Sequence, residues 1–247
     1  MTISLRSLFV LLLFVSPLAR YSYAQSAPVI RPALLGHHQR SLINMIDANA
    51  LMKRGQKDGL IMFSCGVTPL GFGYWPQVYR GTPDSKLLGE EVSRRIMQAQ
   101  FEPALYNGTK TGVWIFGTVV FAIGDGKPHV RIFLNQEDED VTKGRDFIAP
   151  QLAFVPGNTK YKGIYYPRST PGFPGVAAVT MEIDTSGHVK NPRVSYEHPK
   201  DMKFGAAAAS GLLDAIFIPG FRNGKIVSCR FTMPVIFSGP GFKMTTG

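Results

Sequence analysis

The side chains in this sequence that could carry out nucleophilic or redox chemistry are two cysteines, Cys65 and Cys229. A thiol becomes reactive when a histidine or another cation lowers its pKa, but no histidine pairs with either cysteine in a recognisable motif. Both cysteines fall on the apolar side of alternating stretches, which predicts that they point into a core. Two interpretations stay open: a pair of free buried thiols, or a disulfide that joins two parts of an exported protein.

The remaining residues give little indication of a metal site or a cofactor-binding motif. His37 and His38 are adjacent, but a zinc site takes three or four ligands, and no cysteine or carboxylate stands beside them. Gly71-Phe72-Gly73 joins two predicted strands and precedes no helix, so it is not a dinucleotide-binding fingerprint. The sequence contains no nucleophile elbow, paired-carboxylate pattern or phosphate-binding loop. We therefore expect a non-enzymatic protein that needs no metal and no cofactor.

The composition is that of a folded, basic protein. The chain has 247 residues, of which 45% are hydrophobic and 18% charged, and it carries a formal charge of +10. Such an apolar content excludes wholesale disorder. The basic residues come in short pairs such as Lys53-Arg54, Arg94-Arg95 and Lys160/Lys162, not in a stripe, which favours a solvated surface. Together with the export signal described next, this argues against nucleic acid as a partner.

The first 24 residues have the layout of a secretory signal peptide. Arg6 precedes an unbroken apolar run, residues 8–15, and Pro17 ends that run. Ser22-Tyr23-Ala24 then supplies small residues at the positions that signal peptidase reads. The apolar run is too short for a membrane span, which takes about 20 residues. We expect cleavage after Ala24 and a periplasmic or secreted protein, the alternative being an uncleaved anchor.

The rest of the chain contains an internal repeat. With a constant offset of 116 residues and no gap, residues 59–121 and 175–237 share 13 identities in 63 positions. The identities include an Asn-Gly turn and several glycines and prolines, which are the residues that form turns and end helices and strands. Each copy is predicted as a β-β-α-β unit. The predicted strands are 60–67, 73–80 and 112–123 in the first copy and 179–184, 188–196 and 227–237 in the second, with helices 85–100 and 204–217.

The predicted organisation follows from this repeat. Behind the signal peptide, residues 25–58 form an N-terminal segment with a helix over 38–54. Residues 59–135 form the first repeat, which closes with an additional strand, 129–134. Residues 136–165 form a linker that begins with a solvated acidic loop. Residues 166–247 form the second repeat.

The last predicted strands of the two repeats differ in character. Strand 112–123 is apolar on both faces, which is typical of a strand covered on both faces. We expect its second face to pack on the other repeat, the N-terminal helix or a partner. In strand 227–237 the second face carries Ser228, Arg230 and Thr232, so this strand is the better candidate for an accessible sheet edge.

The second repeat resembles the TonB C-terminal domain family over about 72 residues, 166–237. The residues that carry the resemblance are Tyr166-Pro167, Gly175-Val176, Asp184 with Gly187, Phe217 with Pro219, Asn223-Gly224-Lys225 and Pro234 to Phe237. The first repeat resembles the family less closely, through Phe101 with Pro103, Asn107-Gly108 and Val119 to Phe121.

The resemblance implies an α+β fold of two TonB C-terminal-like units, each a small antiparallel sheet with a helix on one face. In that family the domain binds peptides in the periplasm by adding a strand to its exposed sheet edge, which needs free backbone groups and no catalytic group. The implied partner is a receptor or other envelope protein segment, and open edges also permit a domain-swapped dimer. The edge residues are then Val227, Ser228, Arg230, Thr232 and Val235.

Two other functions remain open at this point. An anchored energy transducer for outer-membrane transport would keep the N-terminus in the membrane and would carry a long proline-rich spacer. Residues 25–58 are short and not proline-rich, so a diffusible binding module fits better. A structural scaffold whose edges are covered within the protein is the third reading.

Overall fold

The computed structural model describes residues 29–168, 170 and 172–245. The predicted signal peptide therefore lies outside the described residues. The fold is mixed α+β, with mostly antiparallel sheets and few helices. The helices are α1 Leu42–Met45, α2 Ala48–Lys53, α3 Lys86–Ile96, α4 Asp138–Lys143 and α5 Phe204–Leu212. No helix in the described part of the chain has the length and hydrophobicity to cross a membrane.

Strands dominate both halves of the described chain. Up to the middle of the chain they are β1 Gly59–Val67, β2 Gly73–Gly81, β3 Ala104–Tyr106, β4 Thr109–Gly124, β5 Lys127–Phe133, β6 Phe147–Ile148, β7 Gln151–Phe154 and β8 Ile164–Tyr165. The later ones are β9 Gly175–Ile183, β10 Val189–His198, β11 Ile216–Ile218, β12 Gly220–Arg222, β13 Lys225–Val227, β14 Cys229–Phe237 and β15 Lys243–Met244.

Strand pairing recurs with the same 116-residue offset as the sequence. Gly59 pairs with Phe121 between β1 and β4, and Gly175 pairs with Phe237 between β9 and β14. The β3–β4 hairpin has its equivalent in β12–β13, and each turns through an Asn-Gly pair with positive φ. Positive φ at both central residues is what a two-residue hairpin requires, which explains why the Asn-Gly signal is present twice.

The β-bulges recur as well. Strand β2 shifts register against β1 twice, and β10 shifts against β9 at the equivalent two positions. In the turn of the first hairpin of each repeat, Gly71 and Gly187 have φ of 87° and 85° and lie against the carbonyls of Phe101 and Phe217. These irregular features repeat together, so the two units share their backbone geometry in detail.

Two apolar cores are present, one on each side of the sheet that contains β4. One core joins α3 to the helix-side face of β1 and β4, including Phe63, Cys65 and Ile115. The other contains the inward face of β9 and β14, helix α5, and also Trp114 and Phe116 of β4. The rings of Phe116 and Phe231 are 5.5 Å apart. The second apolar face of β4 is thus covered by the second repeat.

The segment 136–165 is more structured than a linker. It contains α4, β6, β7 and β8, and β7 lies between β4 of the first repeat and β11 of the second in one seven-stranded sheet. The acidic stretch is not simply solvated, because Asp140 is buried and forms hydrogen bonds with Arg222. A run of four acidic residues looks solvent-exposed in sequence, and the distant cation that buries one of them is not visible there.

Several helix predictions were too long. The helix expected over 38–54 is divided into α1 and α2, because Asp47 takes extended φ and ψ and caps α2 through Ala50 N–H. The helix expected over 204–217 ends at Leu212, and residues 216–218 pair with β7 instead. Tertiary pairing overrides helix propensity at this end.

Candidate functional site

The sheet of the second repeat ends in an unpaired strand. Its order is β10-β9-β14, so β14 is an edge. Within the described residues no helix or strand other than β9 runs alongside β14. β10, the opposite edge, carries two bulges and Pro192, features that hinder further pairing. β14 instead keeps one unbroken register with β9 over its whole length.

One side-chain hydrogen bond establishes which backbone groups of β14 face outward. Ser195 Oγ donates to the carbonyl oxygen of Ala178 at 3.2 Å, so this carbonyl points toward β10. In an antiparallel sheet the N–H and C=O of one residue point to the same side. Ala178 therefore makes no backbone hydrogen bonds to its β14 partner, Pro234. The backbone of Pro234, and by alternation that of Arg230, Thr232 and Ile236, points away from β9.

This edge can bond a further strand at most of its positions. The carbonyls of all four outward residues can accept hydrogen bonds, and Arg230, Thr232 and Ile236 can also donate. Pro234 has no N–H, so the edge lacks one donor. Proline is tolerated at an edge because its missing N–H faces out. It also weakens unselective pairing with other strands.

Only some of the residues that were predicted to form the edge lie on the exposed edge of β14. Arg230 and Thr232 are exposed on β14, as an edge contact requires, and the Thr232 hydroxyl lies 2.9 Å from the Thr180 hydroxyl. Ser228 interrupts the predicted strand and donates to the Ile183 carbonyl. Val227 belongs to β13 and pairs with Gly220.

Val235 requires a correction, because it does not lie at the edge. Its side chain is fully buried in the core, and its backbone groups face β9. An added strand can therefore contact neither. The even-numbered residues of β14 carry the outward backbone, and their side chains are exposed at Arg230 and Thr232 and half-buried at Pro234 and Ile236. Ile236 belongs to this set and was missed.

In the first repeat the equivalent edge is covered. Strand β4 bonds β1 on one side, while β7 and β5 pair with its other side at residues 112–114 and 118–124. With the offset of 116 these positions correspond to 228–230 and 234–240. Residues 243–244 instead form β15 and pair with β8. The fold thus contains an example of antiparallel strand addition at the position that β14 leaves open.

Both cysteines are free thiols, so the disulfide alternative is not realised. Cys65 is fully buried in the first core, and burial raises its thiol pKa far above the ordinary value. Cys229 is half-buried, and burial raises its pKa to about 11. Neither has the lowered pKa of a reactive thiolate.

A cavity of about 520 Å³ adjoins the C-terminal end of β14. Its walls are largely aromatic: Tyr74, Trp75, Trp114, Phe154 and Phe242 line it, together with Pro76. The ring centroid of Tyr74 lies 5.6 Å from that of Trp75 and 6.1 Å from that of Trp114, in edge-to-face arrangements. The polar lining includes Ser238, which directly follows β14, and Lys243.

Sequence reasoning missed this cavity because its walls come from four separate stretches of the chain: β2, β4, the end of β7, and the residues after β14. One signal was present in the repeat alignment. Trp75 corresponds to Asn191, a large aromatic residue where the other copy has a turn-forming one.

Comparison with known proteins identifies no relative: no protein-family model matches the chain, and no curated protein or solved structure matches it. The features of the molecule that bear on its function are therefore the β14 edge and the adjoining cavity.

Proposed function

We propose that this chain is a non-enzymatic binding module of the TonB C-terminal type, which recognises an extended segment of an envelope protein by strand addition to β14. The observation that carries the proposal is the unpaired outer edge of β14, set beside the equivalent edge of β4, which β5 and β7 cover. The β-β-α-β order of each repeat and the residues shared with that family support it.

The chemistry of such an edge is that of the backbone. Each backbone hydrogen bond contributes roughly 0.5–1.5 kcal/mol net, so several in a row give affinity with little sequence selectivity. Selectivity then comes from side chains beside the edge, here the exposed Arg230 and Thr232 and the half-buried Ile236. The pairing of β5 with β4 suggests an antiparallel orientation for the added strand.

The proposal is tested by substituting one outward-facing residue. Peptides are first selected from a displayed random library on the purified protein, and their dissociation constants are measured by calorimetry. Thr232→Pro removes one outward N–H, at a position of the same orientation as native Pro234. Thr232→Ala is the matched control, because it removes the hydroxyl and keeps the N–H.

We expect Thr232→Pro to weaken binding by about 10-fold or more, since it removes a hydrogen bond and the neighbouring pairing. Thr232→Ala should stay within about 3-fold of wild type, because an exposed side-chain hydrogen bond contributes little. A Thr232→Pro protein with unchanged circular dichroism and unchanged affinity would reject strand addition at β14.

The proposed location is the periplasm or the exterior, after removal of residues 1–24. Intact mass and fractionation from the native envelope test it. A soluble species that begins at Gln25 agrees with a diffusible module. A full-length species in the inner membrane would instead favour an anchored energy transducer.

A further inference from the structure

We propose that the aromatic cavity beside β14 receives an aromatic side chain of the bound peptide, with a peptide carboxylate held by Lys243. This inference rests on the proposed function, since it names an anchor for the same partner. The cavity volume of about 520 Å³ lies within the range of roughly 300–1,000 Å³ that is typical of ligand sites.

The strongest argument is the backbone conformation of Trp75. Trp75 has φ of 46°, in the left-handed region, where bulky residues are rare and asparagine is common. The equivalent residue of the second repeat, Asn191, has φ of 51° in the same β-bulge. The fold therefore requires this backbone geometry in both copies, and asparagine satisfies it at lower cost. The presence of tryptophan in the first copy needs another reason.

The position of the Trp75 side chain supplies that reason. The residue is 63% exposed, so it contributes little to a core, yet it lines the cavity. Strained backbone that persists beside a cavity is characteristic of ligand-binding positions. Trp114 also lines the cavity and is only 4% exposed, so part of the lining is fixed by packing while Trp75 remains accessible.

The positive charge in the cavity lining favours a ligand that carries a carboxylate. Among the described lining residues Lys243 is the charged one, and none of them is a carboxylate. Among the described residues no acidic side chain forms an ion pair with Lys243. A ligand with an aromatic ring and a nearby carboxylate complements both features. A saccharide fits less well, because its many hydroxyls need hydrogen-bond partners that these walls offer only sparsely.

Continuity with β14 links the cavity to the same peptide. Ser238 follows the last residue of β14 and contributes to the cavity wall. A strand paired with the outward groups of residues 230–236 therefore reaches the cavity at one end. Backbone pairing would provide affinity along the edge, and the cavity would select one side chain.

The experiment uses small probes that cannot pair as a strand, so it tests the cavity independently of β14. The chain contains two tryptophans, Trp75 and Trp114, and both line the cavity. Their indole N–H signals in a ¹⁵N correlation spectrum report on it directly. The probes are N-acetyl-phenylalanine with a terminal carboxylate, N-acetyl-aspartyl-phenylalaninamide with a side-chain carboxylate, and N-acetyl-phenylalaninamide with none.

We expect saturable shifts of both indole signals with dissociation constants of about 1–10 mM, as befits a fragment-sized ligand. At least one carboxylate probe should bind about 5-fold more tightly than the amide, since an exposed ion pair contributes on that scale. The better of the two acids identifies the source of the carboxylate. Lys243→Met should abolish this preference, whereas Lys225→Met, remote on β13, should leave it intact.

The decisive variant is Trp75→Asn, which installs the residue found in the second repeat. We expect it to weaken probe binding about 10-fold or more, read from Trp114, because aromatic contacts dominate such an anchor. Its thermal midpoint should equal or exceed that of wild type. A lowered midpoint would mean that Trp75 is structural and would overturn the inference, as would indole shifts caused by N-acetylglucosamine but not by the aromatic probes.

The two proposals fail separately. Loss of peptide binding in Thr232→Pro with normal probe binding supports both. Normal peptide binding in Thr232→Pro rejects the edge but leaves the probe measurement meaningful. Absence of probe binding in the wild-type protein rejects the cavity proposal alone.

Discussion

Arg222 and Asp140 form a two-pronged contact, with Nη1 to Oδ1 at 3.1 Å and Nη2 to Oδ2 at 2.9 Å. The guanidinium also lies over the ring of Phe147, 4.5 Å from its centroid. Asp140 is on α4 between the repeats, and Arg222 is on β12 of the second repeat. These hydrogen bonds hold the pKa of the Asp140 carboxyl below its ordinary value, although burial opposes them.

The first prediction concerns this pair. Asp140→Asn should lower the free energy of unfolding at pH 7 by about 1–2 kcal/mol, a moderate value because Arg222 is partly exposed. A lowered folded-state pKa stabilises the protein above the unfolded pKa of about 4, and the stabilisation is lost as the pH falls below it. The gap between wild type and variant should therefore narrow in urea titrations as the pH falls below about 4, and it should close only below the lowered folded-state pKa of Asp140. Asp138→Asn, exposed on the same helix, is the control, and an equal pH-dependent gap there would contradict the assignment.

The second prediction concerns the tight hairpin that recurs in both repeats. A Cβ on Gly187 would lie 1.9 Å from the Phe217 carbonyl oxygen, and φ there is 85°. Gly187→Ala should cost roughly 3 kcal/mol or more, from clash and backbone strain together. Gly224→Ala has comparable φ but nothing within 4 Å of its Cβ, so it should cost only about 1–2 kcal/mol. Equal losses in urea unfolding would disprove the close approach.

The third prediction concerns backbone amides along β14. The amides of Phe231, Met233, Val235 and Phe237 face β9 and should exchange slowly with deuterium. Those of Arg230, Thr232 and Ile236 should exchange faster by about two orders of magnitude or more, since they lack a partner strand. Adding a selected peptide should slow this faster set. Uniform protection in the free protein would show that the edge is already occupied.

The fourth prediction concerns the thiols. With a pKa of about 11, Cys229 is only about one part in a thousand ionised at pH 8, so alkylation should be roughly 100-fold slower than for an ordinary free cysteine. Cys65 should react only after unfolding. Two thiols should be titrated in denaturant, and a count of zero with a mass lower by about two hydrogens would restore the disulfide alternative.

Much of the strand layout could be predicted from alternation and turns. The alternating residues 229–237 predicted which β14 side chains are buried, and the Asn-Gly pairs marked both hairpins. These signals are local, so they survive in a single sequence. The two apolar faces of β4 also indicated a strand covered on both sides, which Phe116 and Trp114 confirm.

What the sequence concealed depends on distant partners. β7 and β11 are short, and each is defined by pairing with residues far along the chain. The burial of Asp140 depends on Arg222, 82 residues away. The aromatic cavity brings together separate stretches of the chain. The repeat alignment sets Trp75 against Asn191, but the strain at this tryptophan becomes visible only when φ is known.

The pairing of β7 between β4 and β11 determines how the chain can fold. Leu152 lies opposite Trp114 on one side and opposite Phe217 on the other, so one sheet draws its strands from both repeats. Such contacts join residues that are far apart in the sequence. They form late in folding, because the entropy cost of closing a long loop precedes the stabilisation that the contact provides. We expect one cooperative unfolding transition for both repeats, because the seven-stranded sheet needs β11 of the second repeat as well as the strands of the first. The two repeats, although each has its own helix and hairpins, should therefore behave as a single folding unit.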